Sequence, residues 1–104
     1  MTLRATVDFL LHDWLKVSEL NQRPRFADHS QETFSAVLDT CERIARDKFA
    51  PFNRTVDTQE PAFDGEKVIL PDCTQDAHNA YTASGMLSAA QDYEIGGMQL
   101  PYTI

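Results

Sequence analysis

Residues 30–50 read SQETFSAVLDTCERIARDKFA, and this stretch predicts the longest helix of the chain. Its apolar residues recur every three or four positions, which gathers them on one helix face. The residues of this apolar stripe are Phe34, Val37, Leu38, Cys41, Ile44 and Ala45. Ser30 can cap the N-terminus, because its hydroxyl oxygen can accept from a free backbone N–H. On the opposite face, Asp39–Arg43 and Glu42–Arg46 are i, i+4 pairs in the order that supports a helix.

Pro51 decides where this helix is interrupted. Proline has no backbone N–H, and its ring clashes with the preceding helical turn. The helix therefore either kinks at Pro51 or ends there and restarts, with Phe52 packed inward.

A second helix is predicted upstream, from about residue 4 to residue 17. Its apolar face consists of Val7, Leu10, Leu11, Trp14 and Leu15. The stretch that follows, residues 18–29, reads SELNQRPRFADH and has neither helical nor strand periodicity. Pro24 disfavours helix at Arg23, so we expect a linker loop here, anchored by Phe26.

A turn and a third helix are predicted downstream. Asp64-Gly65 followed by residues 67–70 predicts a tight turn into a short extended segment. Pro71 suits the first turn of a helix, and Gly85 suits the left-handed residue that ends one. The stripe between them comprises Cys73, Ala77, Ala80, Tyr81 and Ser84. Small residues on this stripe predict close helix packing, and residues 86–97 are expected to be irregular or to contain one turn.

These elements predict an all-α fold of about three helices, with a short β-like excursion near residues 66–70. The length suits one domain with one core. The last thirteen residues read DYEIGGMQLPYTI, a glycine turn followed by an apolar tail. No predicted element follows this tail, so its apolar residues are expected to be exposed.

Composition and charge exclude several classes of function. The chain is 42% hydrophobic and carries a net charge of −7. Residues 1–54 hold eight acidic and eight basic residues, whereas residues 55–104 hold eight acidic residues and Lys67 alone. Such a surface repels phosphate backbones, so no nucleic-acid partner is expected. No apolar run approaches the roughly 20 residues that span a bilayer. Asp8, His12 and Asp13 interrupt the apolar run near the start, which predicts a cytoplasmic protein.

No catalytic or metal-binding motif is found in the sequence. His12, His29 and His78 are isolated from one another, and none lies at helical spacing from another ligand type. Cys41 and Cys73 have no CxxC partner, so they predict neither a zinc site nor a disulfide scaffold. The serines and cysteines lack an adjacent base motif. The residues by themselves therefore predict no catalytic residue and no metal ligand.

Three motifs, in this order, resemble the N-terminal domain of acyl-CoA dehydrogenases. Ala45–Asp57, ARDKFAPFNRTVD, resembles the end of the first long helix of that domain. Gly65–Met86 resembles the family pattern of G-x-V-x-L-P, a helix and A-G-hydrophobic. DYEIGGMQLP, from Asp92 to Pro101, resembles the signature E-Y-G-G-x-G-L-P, with departures at Glu94-Ile95 and Met98-Gln99.

The opening FLLHDWL, the loop and the Ser30 helix resemble the extra N-terminal segment of a larger bacterial subclass that includes methylthiopropanoyl-CoA dehydrogenase. The resemblance implies an N-terminal extension helix and loop at residues 1–29. It also implies an incomplete N-terminal helical domain of the acyl-CoA dehydrogenase fold at residues 30–104. The whole enzyme would bind FAD and oxidise an acyl-CoA to the 2-enoyl thioester, with electron-transfer flavoprotein as its partner.

The same resemblance implies that this chain is not catalytic alone, because the catalytic glutamate and most flavin contacts belong to other domains. No cofactor is expected in this chain. Gly96, Gly97, Leu100 and Pro101 would lie near the acyl-chain side of the substrate pocket, although a glycine pair also commonly serves only turn geometry. We further expect a homo-oligomer that covers exposed apolar parts of the Phe34 and Ala77 helices. The alternative is a stand-alone helical protein-interaction module derived from the family.

Overall fold

The structure, a computed structural model, describes residues 2–104 and is mostly helical, with 65% of residues in helices and 4% in strands. The chain forms two compact units. Unit 1 contains the residues up to Asp39 together with Ser88–Ile104, and unit 2 contains Thr40–Leu87. The predicted parts 1–29 and 30–104 both contribute residues to unit 1. The all-α class predicted from the apolar stripes is compatible with this architecture.

Helix α1, Leu3–Asp8, continues as a π-helix over Phe9–Trp14. Its first turn is capped by Thr2, whose Oγ1 accepts from the Ala5 N–H at 3.1 Å. The wider turns place later side chains off the apolar face that α-helical spacing predicts. Only Leu11 of the predicted face is buried, and Trp14 is 69% exposed. The five-residue apolar face was therefore wrong in its second half.

Residues 18–29 are more regular than the predicted linker loop. Two 3-10 helices cover Val17–Gln22 and Pro24–Phe26. Arg23 between them is extended, with φ −83° and ψ 138°, as expected for a residue that precedes proline. The helix exclusion at Arg23 is confirmed, but the absence of helical turns around it was wrong.

Helix α2 spans Gln31–Ile44 and begins as predicted, because the Thr33 N–H donates to Ser30 Oγ at 3.3 Å. The predicted pair of Glu42 and Arg46 forms at 2.8 Å. Asp39 instead binds Arg4 at 2.6 Å, so the predicted Asp39–Arg43 pair was wrong. The hydrogen bond to Asp8, together with that to Asp39, raises the pKa of Arg4.

Pro51 interrupts the helical path as predicted. A π-helix, Ala45–Phe49, is followed by a 3-10 helix, Ala50–Phe52, and then by helix α3, Asn53–Thr58. Phe52 was expected to pack inward, but it is 38% exposed. Its exposure follows from the sparse packing of unit 2 around the proline.

A two-stranded antiparallel hairpin contains the predicted turn. Strands β1, Ala62–Phe63, and β2, Val68–Ile69, pair Ala62 with Ile69 and Phe63 with Val68. Gly65 has φ +97°, a positive value that glycine adopts without strain because it has no Cβ. The Asp64 carboxylate Oδ1 accepts from the Glu66 N–H at 2.9 Å and from the Lys67 N–H at 2.8 Å. The extended segment is confirmed, whereas its partner strand β1 was not predicted.

Helix α4, Asp72–Ala83, follows Pro71 and ends at Gly85, whose φ is +83°. It packs against the Ala45–Phe49 segment, and Ala77 is the buried member of the predicted small-residue stripe. Two 3-10 turns, Met86–Ser88 and Tyr93–Ile95, lie in the region predicted to be irregular.

The core of unit 1 is built around Phe34, whose side chain is fully buried. Phe34 lies in one cluster with Leu11, Val17 and Leu100. Further apolar side chains pack on this cluster: Val7, Leu20, Val37, Leu38, Ala89, Met98 and Ile104. Phe34 and Ala77 are themselves buried, whereas Tyr81 on the Ala77 helix is 36% exposed, so part of that helix does present apolar surface.

Replacing Phe34 with alanine should strongly destabilise the chain. Removing a buried aromatic ring costs about 3–5 kcal/mol, because apolar contacts are lost and a cavity is left. Trp14→Ala is the matched control, since Trp14 is mostly exposed and its loss should cost under about 0.5 kcal/mol. Urea denaturation followed by circular dichroism measures both, and equal costs would contradict the assigned core.

The hairpin turn should weaken in acid. Backbone hydrogen bonds from Lys67 and Glu66 lower the pKa of Asp64 below its ordinary value of 3.8. A group whose folded pKa is lowered contributes its stability above its unfolded pKa and loses it as pH falls through the folded pKa. The Glu66 and Lys67 amide signals in NMR spectra should therefore shift only below about pH 4. An Asp64→Asn variant should lack this transition, and its persistence would contradict the assignment.

Candidate functional site

The predicted site residues form a tight turn in unit 1. Gly96 adopts φ +87°, and its N–H donates to the Tyr93 carbonyl at 3.0 Å. The Gly97 N–H donates to the Asp92 carbonyl at 2.9 Å. After the turn, the chain runs back alongside Ala89, whose carbonyl accepts from the N–H groups of both Met98 and Leu100. The turn therefore reverses the chain and holds the segment after it by backbone hydrogen bonds.

Position 97 requires glycine for a different reason, because a side chain there would not fit. A Cβ atom at Gly97 would lie 2.0 Å from the Gln91 carbonyl oxygen, far inside any permitted contact. A Cβ at Gly96 would meet nothing within 4 Å, so Gly96 is constrained by its conformation alone. The two glycines thus serve different physical requirements of one turn.

Leu100 and Pro101 are buried, which corrects the prediction of an exposed tail. Leu100 is 5% exposed and belongs to the Phe34 cluster. Tyr102 alone fits the expectation for this tail, since it is 91% exposed. The tail is buried because it packs on apolar residues from distant parts of the chain, a contact that local patterns do not reveal.

Polar contacts fix the tail relative to residues 25–29. Arg25 pairs with Asp92 at 2.6 Å, and its guanidinium also donates to the Ala90 carbonyl at 3.1 Å. His29 Nε2 lies 2.8 Å from the Met98 carbonyl oxygen, and its ring lies 5.8 Å from that of Phe34. The Gln99 amide donates to the Arg25 carbonyl at 3.1 Å. The four predicted site residues are therefore brought together as a packed structural motif, and their proximity to a substrate pocket stays a prediction.

Unit 2 contains an apolar groove of about 540 Å³ that the sequence did not predict. It lies between α4 and the segment that runs from Lys48 to Pro61. The apolar and small lining residues are Phe49, Phe52, Val56, Pro61, Cys73 and Ala77. Phe52 and Val56 follow the proline break and belong to none of the predicted stripes, so the apolar periodicity did not indicate the groove.

The polar groups around this groove are few. Asp57, Glu60 and Lys48 line it, and none of them forms an ion pair among the described residues. Thr74 also lines it, and its Oγ1 is buried with no hydrogen-bond partner within residues 2–104. Cys73 is a half-buried free thiol. An apolar groove of this volume with a few polar groups is typical of a ligand or side-chain binding site.

Residues 2–104 contain no group of His, Cys, Asp and Glu side chains placed to hold a metal ion. No described helix combines the length and apolar character that crossing a bilayer requires. The groove does not fit FAD, because Asp57 and Glu60 would repel its diphosphate and Lys48 is the single cation there.

No protein-family model, curated protein or solved structure matches this chain. The function proposed below is therefore inferred from the residues and geometry of the chain itself.

The two glycines of the turn should respond differently to alanine. Gly96→Ala places a side chain in the left-handed region and should cost about 1–2 kcal/mol. Gly97→Ala forces Cβ into the Gln91 backbone, and we expect a cost of about 3 kcal/mol, at or beyond the upper end of overpacking penalties. Thermal and urea denaturation of both variants measure the difference, and a tolerated Gly97→Ala would refute the close approach.

Proposed function

We propose that this chain is the N-terminal helical part of an FAD-dependent acyl-CoA dehydrogenase of the larger bacterial subclass, and that it is not catalytic alone. The whole enzyme would oxidise an acyl-CoA thioester between its α and β carbons and deliver the electrons to electron-transfer flavoprotein. FAD would be held mainly by parts of the enzyme outside these 104 residues. The proposal includes assembly as a homo-oligomer.

The observation that carries the proposal is the agreement between the motif residues and the local geometry. Gly96 needs the left-handed conformation, Gly97 needs the absence of a Cβ, and Leu100 and Pro101 fill the core. These are the residues that match the G-G-x-x-L-P part of the family signature. The family signature would thus place its residue types where this backbone requires them, except at Gln99, which has φ +49° where the signature has glycine.

The other two motifs support the proposal in the same way. The Ala45–Asp57 motif contains the proline at which the helical path is interrupted. The Gly65–Met86 motif begins at the left-handed glycine of the hairpin and includes Gly85, the left-handed residue after α4. A cytoplasmic location belongs to the same proposal, because Asp8, His12 and Asp13 interrupt the apolar run near the N-terminus.

The alternative is a helical protein-interaction module derived from the same family. The exposed apolar groove of unit 2 favours it, since contiguous apolar surface often marks a binding site. The two proposals predict different products of the native gene: a large flavoprotein for the enzyme, and a colourless 11.8 kDa protein for the interaction module.

Expression of the native gene in full tests the proposal. We expect a product several-fold heavier than 11.8 kDa, with flavin absorbance and acyl-CoA-dependent reduction of an artificial electron acceptor. Intact mass, the visible spectrum and a panel of acyl-CoA chain lengths are the measurements. A colourless product of 11.8 kDa without this activity would contradict the enzyme and leave the interaction module.

A further inference from the structure

Unit 2 buries very little of its own apolar surface. Among its described residues, Ala77 is the single buried hydrophobic side chain. Nine of its large apolar residues are at least one-third exposed: Phe49, Phe52, Val56, Phe63, Val68, Ile69, Leu70, Tyr81 and Leu87. Soluble proteins rarely leave so much contiguous apolar surface uncovered unless it binds something.

A second groove of unit 2 adjoins the first at Thr74. Thr74 lines both the 540 Å³ groove and a neighbouring groove of about 370 Å³. The second groove is bordered by Val68 and Leu70 of the hairpin region and by His78 of α4. The larger groove is mainly apolar and the smaller one mixes apolar and polar residues, and both lie along the first turns of α4; we name them together the α4 surface. Two adjacent grooves along one helix can receive side chains from successive turns of a partner helix.

The residues that line the α4 surface carry more negative than positive charge. Three carboxylates line the two grooves, against one lysine, Lys48. Asp57 and Glu60 lie in the larger groove and Asp72 in the smaller one. A partner with positive charge beside its apolar residues would therefore be favoured, and an acidic partner would be repelled.

We propose that the α4 surface binds a basic amphipathic helix of a partner protein. Apolar side chains at i, i+3, i+4 and i+7 of that helix would enter the two grooves, and lysine or arginine residues beside them would face Asp57 and Glu60. This inference rests on unit 2 alone. It does not depend on the enzyme activity proposed above, and the two proposals can fail separately.

Two model peptides test the inference on the intact 104-residue chain. The first is a capped helical peptide of about 14 residues with leucines at the stated spacing and lysines elsewhere. The second is identical except that glutamate replaces every lysine. We expect the lysine peptide to bind measurably in isothermal titration calorimetry, more weakly as salt is raised, and the glutamate peptide to bind at least about tenfold more weakly.

The alkylation rates of the two free cysteines show where in unit 2 the peptide binds. Cys73 lines the larger groove, whereas Cys41 lies outside both grooves, and both thiols are half-buried. Saturation with the lysine peptide should slow alkylation of Cys73 by iodoacetamide about tenfold when the peptide is at ten times its Kd. The rate at Cys41 should stay unchanged, as measured by mass spectrometry of proteolytic peptides.

Charge-neutral variants separate the proposed contacts from general acidity. The double variant Asp57→Asn/Glu60→Gln should weaken the lysine peptide about three- to tenfold. The matched control, Glu66→Gln/Asp76→Asn, removes the same charge from residues outside both grooves and should change the affinity less than about twofold. All four positions are exposed, so both variants should fold.

Four outcomes would overturn the inference. Equal binding of both peptides would show that charge does not select the partner, and absence of protection at Cys73 would show that the grooves are not the site. Protection of Cys73 by higher concentrations of the chain alone would make a second copy the occupant. The grooves would be a small-molecule site if an alkyltrimethylammonium salt, below its micelle concentration, protected Cys73 from alkylation and the lysine peptide did not.

Discussion

The burial of Phe34 is the interaction on which unit 1 depends. Its ring is fully buried in one cluster with Leu11, Val17 and Leu100, which come from distant parts of the chain. Ordering a backbone residue costs about 1–2 kcal/mol, so the N-terminal helix and the C-terminal tail stay ordered only because they bury apolar surface on this ring. Residues 2–29 therefore contribute side chains to the core of unit 1.

Hydrophobic burial has no direction, so polar contacts decide how the tail lies on this core. Asp92, Met98 and Gln99 are each bound by residues 25–29, and Gly97 presses against the Gln91 backbone. Only one register of the tail satisfies all of these contacts together. In this segment the turn conformation, the close approach and the buried side chains therefore require one another.

Unit 2 is stabilised differently. Its elements share almost no core and are held by hydrogen bonds and by local turns. The Asp64 carboxylate orders the hairpin turn, and glycines end the turn and α4, yet the aromatic residues around Pro51 stay exposed. A unit with this balance gains most of its burial from whatever covers it. Functional contacts of the chain are therefore expected on unit 2, whereas the motif residues of unit 1 are occupied in packing.

The sequence by itself determined the local features: the Ser30 cap, the break at Pro51, the Asp64-Gly65 turn and the end of α4 at Gly85. Each depends on side chains and backbone within a few residues, so pattern rules apply to it. Only the tertiary structure decided that Trp14 is exposed, that Asp39 binds Arg4, that Leu100 and Pro101 are buried and that a groove lies beside α4. These features depend on residues far apart in the chain, and periodicity cannot report which distant surfaces meet.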